Sequence, residues 1–312
     1  MSSRAQLKRG VLRLLFRVNK VFEGAEYMGG LPKGTDELPP PIFIIGAPRS
    51  GSTLFYQYLT AALKVGYLTN AHCLFFGLPS FLEGALHLSD RDQRSNFDSR
   101  HGKARGALAP SECGEYWYRF FRRKPQYVPG DAIRDVMLER MRIAVIKLVA
   151  AMRKPVVFKN MNCALRLEPL SKAFPRAVYL VTHRQLSSNA RSLLQVRMRV
   201  HGSYAKWWSM EPPSIMDLLD KEPVEQVVRQ VQDIHEVIER AERKVGSKQF
   251  YHISYERFCG EPAAEVRGVR QFLERNGIRV SARNVDLPSY FPLSVSDPLP
   301  EEYERELERL CE

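Results

Sequence analysis

The 312-residue chain predicts an α/β fold: one domain with a mostly parallel sheet covered by helices on both faces. Three observations predict it. Short apolar runs of strand length recur at Ile42–Ile45, Val156–Phe158, Ala177–Val181 and Gln249–Ser254. Each is followed by a stretch with helical periodicity, and strand–helix alternation of this kind builds a parallel sheet. Finally, Ile42–Ile45 runs straight into a glycine-bearing loop and then a helical pattern, the order expected where a strand end meets a ligand.

Taken in order, Leu7, Val11, Leu14, Leu15, Val18 and Phe22 fall on one helical face, with Arg4, Lys8, Arg13, Arg17 and Lys20 around the rest. Residues 1–28 therefore read as a basic amphipathic helix, docked on its own domain or lying on anionic lipid. A Gly/Pro-rich connector, Gly29 to Pro41, leads into the main α/β domain, residues 40–312. After the first strand, Leu54–Leu63 reads as a helix. Ser80 to Gly130 is irregular and rich in Arg, Gly, Pro and aromatics, and long connections beside strand ends often shape a second substrate's site. A helix starts near Leu186, and another spans Pro262 to Arg275.

Composition narrows the function classes. Charged residues make up 26% of the chain and hydrophobic ones 44%, which is a globular rather than a disordered balance. The formal net charge of +12 suits an anionic ligand, an acidic acceptor, nucleic acid or an anionic membrane surface, and does not choose among them. The basic residues are spread along the chain and no nucleic-acid motif is present, so no nucleic-acid partner is expected. Five scattered cysteines with no C-x-x-C pair argue against a zinc site and a disulfide framework and suit a cytoplasmic protein. No apolar run reaches the roughly 18 residues of a membrane span.

Gly46 to Thr53 fits G-x-x-x-x-G-x-[ST], a P-loop-like phosphate cradle between a buried strand and a helix. Loop N–H groups and the helix dipole would face an anion. The loop has Ser52 where nucleotide triphosphatases carry lysine, and the other strand ends offer Lys159 and His183-Arg184 but no carboxylate. ATP and GTP enzymes need such a carboxylate to hold Mg²⁺. An anion bound by cations with no metal fits better, with Arg49 replacing the lost lysine charge. Arg184 follows the strand Ala177–Val181, and Ser192 lies eight positions later, about two turns into the next helix. Arg and Ser so placed can converge on a second small anion.

Ala47-Pro48-Arg49-Ser50-Gly51-Ser52-Thr53-Leu54 resembles the 5′-phosphosulfate loop of sulfotransferases that use 3′-phosphoadenosine 5′-phosphosulfate (PAPS). Val178-Tyr179-Leu180-Val181 with Arg184 and Ser192 resembles their 3′-phosphate motif. Ile253-Ser254-Tyr255-Glu256-Arg257-Phe258, with Pro262 and Phe272-Leu273, is similar to their late Tyr-Glu segment. The resemblance spans about Pro41 to Gly277. It implies that Arg49, Ser50, Gly51, Ser52 and Thr53 hold the 5′-phosphosulfate. Arg184 and Ser192 would hold the 3′-phosphate, and Tyr255 would reach the nucleotide. Lys159 looks like the family's lysine facing the reacting centre. PAPS would be the co-substrate, 3′-phosphoadenosine 5′-phosphate (PAP) the product, and no metal is expected.

Two features depart from the family. His183 and Gln185 flank the retained arginine where Arg-Asp-Pro is common, and the glycine-rich carboxyl-terminal motif of hormone and phenol sulfotransferases is absent. These point to the bacterial-type or carbohydrate-like branch. The proton acceptor is the open position. Cytosolic members place histidine two residues after the lysine, where this chain has Met161. Gly66–Phe76 offers His72, and the irregular segment offers Glu112, with Glu115 behind it. A carboxylate beside aromatics has its pKa raised by burial, which favours base action near neutrality.

The expected reaction is in-line transfer of a sulfuryl group from PAPS to a hydroxyl or amine of a carbohydrate, lipid or small metabolite. Trp117, Trp207 and Trp208 are candidate stacking platforms for a sugar. The competing readings are a P-loop kinase and a non-catalytic polyanion-binding protein. The expected place is the cytoplasm, with peripheral membrane contact through the first helix.

Overall fold

The structure, a computed structural model, describes residues 3–91, 97, 99–100, 103–294 and 297–311. Five parallel strands form the central sheet: β1 (Ile42–Gly46), β2 (Gly66–Tyr67), β3 (Val156–Lys159), β4 (Val178–His183) and β5 (Phe250–Ser254). Their order is β2-β3-β1-β4-β5. β1 lies at the centre and is buried along its whole length, as expected of a parallel strand covered on both faces.

Alternation along β1 divides the core. Phe43 and Ile45 face one layer, where Phe43 packs between Phe158 and Tyr179 and touches Trp117. Ile42 and Ile44 face the other, against Phe55, Leu59, Val266 and Leu273. The helices are α1 (Ser3–Tyr27), α2 (Ser52–Ala62), α3 (Asn70–Leu74), α4 (Pro79–Leu86), α5 (Asp135–Met152), α6 (Leu167–Ala173), α7 (Leu186–His201), α8 (Pro223–Val245), α9 (Tyr255–Gly260), α10 (Pro262–Arg275) and α11 (Glu301–Cys311). Shorter turns connect them. α5 to α8 cover the Phe43 face, whereas α2, α9 and α10 cover the other.

The expected strands and helices are present, within a residue or two at their ends. β2, of only two residues, carries too little pattern to be read in advance. The irregular span contains α4 and a two-residue hairpin, Ser99–Arg100 with Lys103–Ala104. No disulfide bond joins cysteines among the described residues. Among the described residues no helix is long and apolar enough to cross a membrane. α1 side chains are described from Leu14 onward, so Arg4, Leu7, Lys8, Val11 and Arg13 of the expected amphipathic face lie outside the described part.

Candidate active site at the strand ends

The loop after β1 is built by three unusual backbone positions. Gly46 has φ 150°, Arg49 69° and Gly51 82°. A Cβ on Gly46 would stand 2.5 Å from the Thr182 carbonyl oxygen, and one on Gly51 would stand 2.1 Å from the Tyr255 ring. Only glycine permits the close approach of β4 at Gly46 and, at Gly51, both the left-handed turn and the close approach of Tyr255. Gly51 is also the cap of α2 and brings no side-chain oxygen, which leaves the first-turn N–H groups without a side-chain acceptor.

Side chains around this loop converge. Arg49 Nε donates to Ser192 Oγ at 3.0 Å, joining the phosphate loop to the second turn of α7. Arg184 approaches the Arg49 carbonyl at 3.5 Å and lies over the Tyr255 ring, 4.9 Å from its centroid. Its Nε is buried without a partner, and a second nitrogen donates to the Ser294 carbonyl. Ser294 N–H in turn donates to the Tyr255 hydroxyl. Ser50 Oγ and Thr182 Oγ1 are 2.7 Å apart.

The electrostatics are one-sided. Burial lowers the Arg49 pKa, and the positive charges of Arg184 and Arg199 lower it further. Among the described residues neither Arg49 nor Arg184 has a carboxylate partner. Clustered guanidinium groups repel each other, and a multiply charged anion between them reverses the sign of that energy.

On the other side of the loop, Lys159 at the end of β3 is buried. Its Nζ donates to Thr53 Oγ1 at 3.0 Å and to the Glu112 carboxylate. Glu112 is about one-third exposed, and its carbonyl accepts from Asn160 Nδ2 at 3.2 Å. Ser111 N–H donates to the Leu68 carbonyl at 2.8 Å, which ties this wall to the end of β2. A chain of contacts therefore runs from loop to lysine to a carboxylate with one open side.

The other expected residues fall elsewhere. His72 is fully buried; its Nδ1 accepts the Thr69 N–H at 3.0 Å in a capping box, and its Nε2 lies 3.2 Å from Glu83. Burial would raise the Glu83 carboxyl, but hydrogen bonds from His72 and Ser89 outweigh it and hold the group below its usual range. Glu115 pairs with the exposed Arg123. Ser52 Oγ donates to Met161 Sδ at 3.2 Å, so Met161 sits at the loop but a thioether takes up no proton. Trp117 is a core residue between Tyr116 and Phe158, not a stacking platform. Trp207 is held under Arg197 and donates to the Met210 carbonyl, while Trp208 packs on the core.

Sequence reasoning missed Thr182 and Arg199. Arg199 follows Ser192 by seven positions, which returns it to the same side of α7, and that spacing was the available signal. Thr182 precedes the marked His183-Arg184 pair and points to the opposite sheet face from His183. Among the described residues no group of three or more His, Cys, Asp or Glu side chains is arranged to hold a metal ion.

The sequence model of the sulfotransferase family matches residues 40–277. The curated omega-hydroxy-beta-dihydromenaquinone-9 sulfotransferases Stf3 of Mycobacterium bovis and Mycobacterium tuberculosis are each 24% identical over 254 residues. The alignment covers 75% of this chain and 62% of theirs. Sulfotransferase STF1 from Mycobacterium tuberculosis H37Rv superposes with a TM-score of 0.52 at 17% identity, covering 97% of this chain and 79% of that one. That likeness concerns the fold.

Proposed function

The chain belongs to the sulfotransferase family, and from that premise we propose that it transfers a sulfuryl group from PAPS to a hydroxyl or amine of an acceptor. The observation that carries this reading is the Arg49–Ser192 contact with Arg184 beside it. It brings the two expected anion clamps to one place, as a nucleotide phosphorylated at both 3′ and 5′ positions requires. The first-turn N–H groups of α2, with Ser50 to Thr53, would receive the 5′-phosphosulfate. Arg184 and Ser192 would receive the 3′-phosphate, and Tyr255 would back the loop.

For the chemistry, Glu112 is the proton acceptor this geometry favours. It is partly open to solvent, and Lys159 bridges it to the loop. As the acceptor oxygen or nitrogen bonds to sulfur, its proton passes to Glu112 and the sulfur–oxygen bond to the 5′-phosphate breaks. Lys159 and Arg49 would offset the charge that collects on the departing phosphate oxygen. The in-line arrangement places acceptor and leaving group on opposite sides of sulfur, which matches a carboxylate wall facing a cationic loop.

The acceptor can be a carbohydrate, a lipid or a small metabolite. A relative named for a hydroxylated menaquinone favours an apolar alcohol. The test is direct: titrate the purified chain with PAP and with ATP, then incubate it with labelled PAPS and acceptor pools. PAP binding well above ATP, with label transferred, supports the assignment. Equal affinity for the two nucleotides overturns it.

A further inference from the structure

α1 meets the domain through polar contacts. Asn19 donates to the Leu74 carbonyl and accepts from the Gly77 N–H, each at 2.8 Å. Glu26 is buried, Lys147 donates to its carbonyl at 2.8 Å, and Arg119 donates to the Tyr27 hydroxyl at 3.0 Å. The amphipathic pattern would put apolar side chains in that contact. Leu15 and Val18 are half-buried and Phe16 packs on Phe76, but Leu14, Val21 and Phe22 are exposed, Val21 at 77%.

The corner that α1 holds continues the same surface. Leu74 and Phe75 at the end of α3 are exposed, as is Phe81 on α4 at 71%. Eight of the seventeen exposed large apolar side chains among the described residues lie on α1 and on this α3–α4 corner. An apolar surface of this kind normally has something to cover it. The sequence of α1 names the charge of that cover: Arg4, Lys8, Arg9, Arg13, Arg17 and Lys20 all precede its first acidic residue, Glu23.

We infer that α1 and the α3–α4 corner form a docking surface for an anionic phospholipid membrane. Apolar side chains would enter the acyl boundary while the basic residues meet lipid phosphates, the division of labour of an interfacial helix. A second copy of the chain is a poorer occupant, since pairing would set the same row of cations against itself. α3 also carries Cys73, whose thiol donates to Ser111 Oγ at 3.1 Å, next to Glu112. The proposed membrane-facing corner is thus in contact with the segment that bears the carboxylate.

The test uses the full chain in vesicle sedimentation. Vesicles of phosphatidylcholine with about 30 mol% phosphatidylglycerol are compared with pure phosphatidylcholine, at low salt and at about 0.5 M NaCl, where charge attraction is screened. The wild type is expected to sediment with the anionic vesicles and to be released by salt. Val21→Asp/Phe22→Asp and, separately, Arg17→Glu/Lys20→Glu should each reduce the bound fraction about tenfold or more, with PAP binding and melting temperature kept. No sedimentation of the wild type, or equal binding by wild type and both variants, overturns the inference. So does a wild type that dimerises in light scattering and binds no vesicle, with Val21→Asp/Phe22→Asp monomeric. Loss of PAP binding in the wild type would count against the transfer reaction and leave the membrane result standing.

Discussion

Arg49 and Ser192, separated by 143 positions in the chain, share a 3.0 Å hydrogen bond. The bond spans the crevice between β1 and β4 at the strand ends, where the connection after β1 leaves toward one sheet face and that after β4 toward the other. A ligand that binds both residues replaces this contact with its own oxygens.

Arg184 is the sharper probe of that exchange. Replacing it with alanine should weaken PAP binding about 30- to 150-fold, or about 2–3 kcal/mol, the scale of a lost charge-assisted hydrogen bond. ATP, which lacks the 3′-phosphate, should be affected much less. Calorimetric titration of both nucleotides decides it, and an equal loss for both would mean that Arg184 contacts something other than the 3′-phosphate.

Glu112→Gln should lower kcat by about 10²- to 10⁴-fold and leave PAP affinity within about twofold. His72→Ala should do the opposite. It removes the buried partner of Glu83 and should cost about 3 kcal/mol of stability, read by urea unfolding, while the turnover of the folded fraction persists. A large kcat loss in His72→Ala at unchanged stability would reverse the two assignments.

Gly51→Ala meets two obstacles, a φ of 82° and the Tyr255 ring where its Cβ would lie. The variant should lose about 1–2 kcal/mol of stability and most of the rise in melting temperature that PAP gives the wild type. Retention of the full PAP shift would show that the loop does not need this turn to hold the ligand.

His183 stacks between His235 and His252. Burial and the neighbouring imidazoles lower His183 to about 4 and His235 to about 3. Both folded values lie below the unfolded value of roughly 6.5, so the unfolded chain takes up protons first as pH falls. Stability is complete above about pH 6.5 and declines toward pH 4. From pH 7 to pH 5 the loss should be about 2 kcal/mol for each histidine, on the order of 4 kcal/mol for the pair. His235→Phe should flatten the slope in denaturant titrations, and an unchanged slope would place the effect elsewhere.

The fold was legible because apolar runs and helical periods are local signals, and β1, β3, β4 and β5 each carry one. β2 owes its pairing to its place beside β3 and leaves no mark in two residues. The loop and the meeting of Arg49 with Ser192 were readable for the same reason: glycine at Gly46 and Gly51 is demanded by the turn itself, and Arg184 and Ser192 sit at a fixed helical offset. The candidates for the proton acceptor were harder to separate. His72 and Glu112 look equivalent in sequence, and only the packing of α4, which brings Glu83 onto His72, separates them. The tryptophans mislead in the same way, since Trp117 is committed to the core by a strand neighbour 41 positions away, Phe158.

Met161, in contact with Ser52 of the loop, gives this side of the site a sulfur ether that takes no part in acid–base work. Under the proposed reaction, proton handling then rests on Glu112, which comes from a separate stretch of chain, so the two halves of the site would be free to change at different rates. Natural variation or laboratory selection acting on that stretch alone can retune it to alcohols or amines of different acidity without loosening the hold on the nucleotide.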